Sequence, residues 1–325
     1  MTSTYLMTII MLPLLALMTV VGIYTLIPGE VKEQTYNISR RRFLMGFWPF
    51  FVSASLVYML VQSQSSIVNM LGISVNADYT GYLLMIEGDL VSNFQGFATP
   101  MLTYLNGFIY LMIFSFLMIF TFVILIYTHN LKALEEFTIA FIIIYLAAFP
   151  FYIFVPVTVT GYALPNVLPL LYELSPIIDQ GVRVVDPFLD NDFPSLHAAL
   201  SVLALMVVVY RTNLYRYKVF AALSTAAILF STVYLGIHWI TDLVAGAVLA
   251  LVSYYFAIKY REVIFRKVHR ILVVLEVRLG IRDLIYCAGC SKEISVIPHI
   301  GSVECPSCGE KMDYHPLTFV LNEGV

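Results

Sequence analysis

Residues 217–258 read YKVFAALSTAAILFSTVYLGIHWITDLVAGAVLALVSYYFAI. Two apolar runs, 217–236 and 239–258, stand back to back, and Lys218, His238 and Asp242 are their only basic, imidazole or acidic side chains. As helices, both are long enough to cross a ~30 Å hydrocarbon core, which takes about 20 residues. The two residues between them leave room only for a tight turn at one membrane surface. A charged Asp costs roughly 2.5–3.5 kcal/mol at the centre of a membrane helix and somewhat less near an end. Asp242, about one turn inside its run, therefore marks a functional position.

Read outward, the chain holds further apolar runs at 4–27, 43–63, 101–128, 138–160 and 195–210. The 325 residues are 60% hydrophobic and 12% charged, with mean hydropathy +0.86. Soluble domains run at about 45–50% and about 25%, so a soluble domain is excluded. The expected fold is an all-α polytopic membrane protein of about seven transmembrane helices. The first run has no basic leader and no small-residue exit, so it reads as a retained helix and not a cleaved signal. With the amino terminus outside, Lys and Arg fall in 28–42, 129–137, 211–218 and the tail from Lys259, while Arg183 alone lies outside. By the positive-inside rule this places the tail in the cytoplasm of a cell-membrane protein. The outer segments carry acids instead, among them Glu87, Asp186, Asp190 and Asp192. Asp190 and Asp192 read as a solvated acidic loop, with recruitment of a divalent cation as the alternative. Segment 64–100 is too long for a simple turn, and part of it is expected to lie along the interface as an amphipathic helix. No phosphate-binding glycine loop and no nucleic-acid signature is present.

Two stretches carry chemistry. Asn191-Asp192-Phe193-Pro194-Ser195-Leu196-His197 opens the fifth run, and Ser231 through Asp242 joins the sixth to the seventh. The topology places both at the outer boundary. Pro194 suits the first turn of a helix, and the amides of Ser195, Leu196 and His197 would then face outward from a positive helix end, an arrangement that grips phosphate. His238 and Asp242 are four apart, so on a helix they share a face. A carboxylate there accepts from one imidazole nitrogen and leaves the other as a directed nucleophile or base. Further along, Gly246 and Ala250 continue at four-residue steps as a small-residue packing stripe.

These residues resemble the type-2 phosphatidic acid phosphatase superfamily, whose motifs read PSGH and SRxxxxxHxxxD after an upstream KxxxxxxRP. Pro194, Ser195 and His197 match the first, and Ser231, His238 and Asp242 match the second. Leu196 stands for the family's Gly and Thr232 for its Arg, and no KxxxxxxRP precedes Pro194. In these departures the chain is similar to the inositol phosphorylceramide synthase-like branch, with motifs FPSLH and TxxxxxHxxxD, and looks like a prokaryotic or archaeal relative. The resemblance implies that His238 attacks phosphorus, Asp242 orients it, His197 protonates the leaving oxygen, and Ser195 with its helix-end amides holds the phosphate. No cofactor is needed for that chemistry. Two basic groups of the family are missing, and Arg183 is the expected substitute. On this reading Arg183→Ala lowers turnover by orders of magnitude.

All four cysteines lie in the tail: Cys287-x2-Cys290, then fourteen residues, then Cys305-x2-Cys308. The spacing is that of a four-thiolate structural zinc site in a small β ribbon. The expected organisation is 1–42 as a first transmembrane helix with a basic inner loop, and 43–260 as a six-helix phosphatase-type core. Residues 261–286 follow as a basic amphipathic helix on the inner leaflet, and 287–325 as a cytoplasmic zinc ribbon. The expected activity is lipid phosphotransfer through a phosphohistidine, with membrane lipids as substrates. A phosphatase acting on phosphatidate or isoprenoid diphosphate is the nearest alternative. A silent scaffold whose zinc ribbon binds a cytoplasmic protein is the alternative of a different class. No nucleic-acid partner is expected.

Overall fold

Twenty-four consecutive residues without a charge, Ser3–Leu26, form helix α1. The computed structural model describes residues 3–34, 50–60, 63–71, 78–280, 282–296 and 301–314. Within these, α2 spans Phe50–Leu60, α3 Thr80–Glu87, α4 Pro100–Tyr127 and α5 Leu131–Phe154. They are followed by α6 (Pro176–Val185), α7 (Leu196–Arg211), α8 (Tyr215–Tyr234) and α9 (Ile240–Arg278). Five of them, α1, α4, α5, α8 and α9, are long and apolar enough to cross a membrane, and α2 and α7 are shorter apolar helices. The chain is a helical multi-pass membrane protein with a small tail of strands. All seven apolar runs coincide with helices; Arg40, Arg41, Arg42 and the start of the second run lie outside the described residues.

The fourth run starts a full two turns earlier than expected, at Leu131 instead of 138. Glu135 and Glu136 look like loop residues in the sequence, yet both are buried and paired across the chain. Arg261 Nη1 lies 2.7 Å from Glu135 Oε2, and Arg211 donates to both oxygens of Glu136, at 2.5 and 2.8 Å. Arg216 donates to the Thr25 carbonyl, and Asn130 to that of Arg211, at the same end of the bundle. Removing one partner strands a buried charge, a defect worth about 3–5 kcal/mol. Arg211→Ala is therefore expected to lower the melting temperature in detergent clearly, with Arg211→Lys losing less; unchanged melting of Arg211→Ala would show the pair is neutral.

Helix α7 sits at the centre, packed on α4, α5, α8 and α9. Ala198, Ala199 and Ala204 of α7 and Ala250 of α9 are fully buried, and small residues let membrane helices approach closely. At Gly246 the approach is main chain to main chain. A Cβ there would collide with the Ser195 carbonyl oxygen and come within 3.0 Å of Ala198 Cβ and 3.2 Å of Ala199 N.

At the opposite end from Arg211, the connections fold back over the bundle. Residues 159–171 are stitched to the turn after α8: Thr160 N donates to Ile237 O, Gly161 N to Gly236 O and Leu171 N to Leu235 O. Gly236 has φ +74°, and a side chain there would also meet the Leu168 carbonyl, so only glycine fits. The long segment after α2 is clamped and not merely laid on the surface. Gln95 bonds the Leu168 and Tyr234 backbones, and Glu87 accepts from Ile240 N, Thr241 N and Thr241 Oγ1 at 2.9–3.1 Å. A carboxylate at a helix N-terminus satisfies free amides and opposes the helix dipole. Glu87 thus caps α9 from 153 residues away.

Helix α9 runs for 39 residues without a break, so no structural boundary falls at 260. The tail then forms two antiparallel hairpins, β1 (Asp283–Tyr286) with β2 (Glu293–Val296), and β3 (Gly301–Glu304) with β4 (Lys311–Tyr314). The four cysteines sit at their turns.

Candidate active site

Ser195 is the N-cap of α7 and its Oγ accepts from Ala198 N at 3.2 Å. Pro194 was expected inside the first turn; it precedes the cap instead, with its carbonyl accepting from Tyr152 Oη at 2.8 Å. Ser195 N donates to the Asp242 carbonyl at 3.2 Å, which ties the start of α7 to the first turn of α9. His197 then projects from the first turn of α7. Its ring packs at 4.4 Å on Tyr110 and at 4.4 Å on Phe114. Tyr110 belongs to a π-helical turn, Ile109–Ile113, that interrupts α4. Such turns widen a helix locally and recur at functional sites.

His238 lies two residues before α9. The carbonyl of Thr232 accepts from both Ile237 N and His238 N, so the residue that replaces the family's Arg anchors the turn through its backbone. Thr232 is fully buried, and its hydroxyl donates to Leu229 O. Asp242 Oδ2 accepts from Trp239 N at 2.9 Å, as the N3 acid of a capping box does. That same oxygen lies 3.6 Å from His238 Nδ1.

The nearer carboxylate is Asp192, whose Oδ1 stands 2.5 Å from His238 Nδ1. The approach is close but off the axis of an aligned N–H bond. Asp192 is 2% exposed, so the expectation of a solvated loop does not hold for it. Val157 N donates to Asp190 O and Val159 N to Leu189 O, while Asp186 accepts from Asp190 N and Asn191 N. These bonds draw the loop inward. Burial pushes the Asp192 carboxyl well above the usual carboxylate range. Burial likewise raises Asp186 and, helped by Asp186, moves Asp190 up to about 6.

The two imidazoles face each other with ring centroids 5.7 Å apart. Both line a cavity of about 360 Å³, together with Asp192, Asn191, Asp186 and Gln64 and with aromatic side chains of α4 and α5. Met11 of α1 and Tyr58 of α2 complete the wall. His197, His238, Asp242 and the cap residue Ser195 are thus brought to one end of the bundle, although Ser195 and Asp242 are buried behind the cavity and do not line it. Arg183 is not in the lining either. It lies on α6 beside the lining residues Gly181 and Val182, pairs with Asp179 at 2.9 Å and approaches the hydroxyl and ring of Tyr162. Among the described residues, the lining holds no Lys or Arg.

A sequence model of the PAP2 superfamily matches residues 85–256, from the end of α3 into α9, which is more than half of the chain. The chain belongs to the PAP2 superfamily. No curated protein and no solved structure matches it. Membership in the PAP2 superfamily supports, at the level of the superfamily, a phosphatase-type membrane enzyme with lipid phosphatase- or phosphotransferase-like function. The cavity lies inside the matched segment apart from Met11, Tyr58 and Gln64, which α1, α2 and the segment after α2 add to it.

In the tail, Cys287 Sγ and Cys308 Sγ are 3.4 Å apart and Cys290 Sγ and Cys305 Sγ 3.7 Å. All four sulfurs lie within 4.8 Å of one another. These separations are too long for disulfides, at about 2.05 Å, and close to the ~3.7 Å edge of a tetrahedron with Zn–S of about 2.3 Å. The four cysteines are compatible with a zinc-binding site.

Proposed function

We propose that this PAP2 protein transfers a phosphoryl or phospho-headgroup group between lipids, through a phosphohistidine on His238. The reading rests on one observation: two imidazoles face each other across one cavity, and one of them is backed by carboxylates. His238 Nε2 attacks phosphorus, and the bond from phosphorus to the leaving oxygen breaks as His197 protonates that oxygen. His197 then takes the proton of an acceptor hydroxyl, whose oxygen attacks phosphorus and releases the His238 nitrogen. Asp242 orients His238 through the turn it caps. Ser195 fixes the end of α7 so that the first-turn amides meet the phosphate. The FPSLH sequence at 193–197 and Thr232 favour the inositol phosphorylceramide synthase-like branch and hence a lipid hydroxyl as acceptor. The site faces outward, and the tail faces the cytoplasm, by the distribution of Lys and Arg.

The polar cavity residues Gln64, Asn191 and Asp186 favour a second reading, in which water is the acceptor and the enzyme is a phosphatase. The absence of Lys and Arg from the described lining favours a silent scaffold. One experiment separates the three: phosphate release and headgroup exchange in detergent–lipid micelles, with and without added lipid acceptors. Exchange without release identifies the transferase, release without exchange the phosphatase, and neither from any lipid the scaffold.

Arg183 is assigned to the rim, where it captures the phosphate by exchanging it for Asp179. A partner at the rim acts on binding more than on chemistry, so Arg183→Ala is expected to raise KM about tenfold with a smaller loss in kcat. An unchanged KM removes Arg183 from the site. This is a smaller effect than the sequence suggested, because the guanidinium stands outside the cavity.

The tail holds a structural zinc ion on Cys287, Cys290, Cys305 and Cys308, which leave no coordination position open. Elemental analysis is expected to find one zinc per chain in the purified protein and none after Cys290→Ser and Cys305→Ser together. Retention of zinc by that double variant overturns the assignment. The ribbon is the proposed docking point for a cytoplasmic protein.

A further inference from the structure

We infer that Asp192 is the residue that positions the His238 imidazole directly, while Asp242 serves the same ring through the backbone. The inference rests on the phosphohistidine reading and deepens it. Three observations carry it. Asp192 Oδ1 is 2.5 Å from His238 Nδ1, whereas the nearer Asp242 oxygen is 3.6 Å away and already accepts the Trp239 amide. Asp192 lines the cavity together with both imidazoles, whereas Asp242 lies behind it. The loop that carries Asp192 is pinned on both flanks: Asn191 Oδ1 before it accepts from Gln64 Nε2 at 2.9 Å, and the Pro194 carbonyl after it accepts from Tyr152 Oη at 2.8 Å.

The chemistry follows from tautomer control. A carboxylate at Nδ1 keeps the proton on that nitrogen, so the lone pair of His238 is at Nε2 and points into the cavity. As the Nε2–phosphorus bond forms, positive charge develops on the ring, which favours the ionised form of the carboxyl at Nδ1 over the neutral form that burial favours. Asp192 lies five residues before His197, so one segment supplies both the anchor of the nucleophile and the acid–base group. Asp192 Oδ2 and Asp242 Oδ1 are buried without a partner in the structure. The neighbouring ionisable groups are Asp186 and Glu87 with His197, Tyr110, Tyr152 and Tyr172 around the cavity.

The test compares full-length Asp192→Asn, Asp192→Ala and Asp242→Ala with the wild type in lipid micelles, each checked for monodispersity and melting. Asp192→Asn is expected to lower kcat about 10²-fold or more with little change in KM, and to slow formation of the acid-labile phosphoenzyme to the same degree. Formate, small enough to enter the cavity, is expected to raise the turnover of Asp192→Ala about tenfold or more and to leave Asp242→Ala unchanged. A merely structural Asp192 gives no formate response. Near-normal kcat in Asp192→Asn, or equal rescue of both Ala variants, overturns the inference. If His238→Ala retains activity, the phosphohistidine reading itself fails; if His238→Ala is dead while Asp192→Asn is active, only the role of Asp192 fails.

Discussion

His238→Ala is expected to abolish transfer, lowering kcat/KM by about 10⁴-fold or more, because on the proposed mechanism the covalent intermediate forms on this imidazole. The measurement is incubation with a radiolabelled lipid phosphate, followed by separation of protein and lipid. Wild-type protein should carry label that survives alkali and is lost in acid, as a phosphoramidate does. His238→Ala should carry none. His197→Ala differs in kind: label still enters when the donor has a good leaving group, but transfer to the acceptor stalls, because the proton shuttle of the second step is gone. Label on His238→Ala at the wild-type level would move the nucleophile elsewhere.

Gly246→Ala should produce the second large loss. The added methyl would collide with the Ser195 carbonyl and press on Ala198 and Ala199. These are backbone and helix-core atoms, so no flexible side chain can yield. Overpacking of this kind costs about 1–3 kcal/mol, and α7 must move away from α9. That motion separates His197 from His238, and misplacement by about 1 Å can cost about 10²-fold in rate. The expected result is a folded, less stable protein with turnover at about one hundredth of the wild type. Gly81→Ala is the control. No atom lies within 4 Å of the position in α3, so both activity and melting should stay at or above the wild-type level. Full activity in Gly246→Ala would mean that the two helices are not held at contact distance.

The hydropathy of the chain picked out the seven apolar helices among the described residues, and two short motifs picked out the two imidazoles and Asp242 that lie together at one end of the bundle. The four-cysteine cluster was equally legible, because two Cys-x2-Cys pairs are spaced as turns that bring four thiols together. The residues that were missed are acidic, and each acts over a long sequence distance. Asp192 belongs to a run with Asp186 and Asp190 that has the composition of a solvated loop. It is buried because Val157 and Val159, more than 30 residues earlier, bond the backbone beside it. Glu87 caps a helix that begins far downstream. Glu135 and Glu136 find their partners in α9 and at the end of α7. Local pattern cannot show such pairings, since a buried acid and an exposed one look alike until the partner is known. Pro194 was misplaced by two positions because Ser195, and not the proline, supplies the cap.

The length of α9 has a mechanical consequence. At 1.5 Å per residue its 39 residues span about 58 Å, and a tilt of 40° still leaves about 44 Å along the bilayer normal, against a hydrocarbon thickness of about 30 Å. The rod is therefore long enough for its far end to reach beyond the acyl chains at any tilt up to that angle.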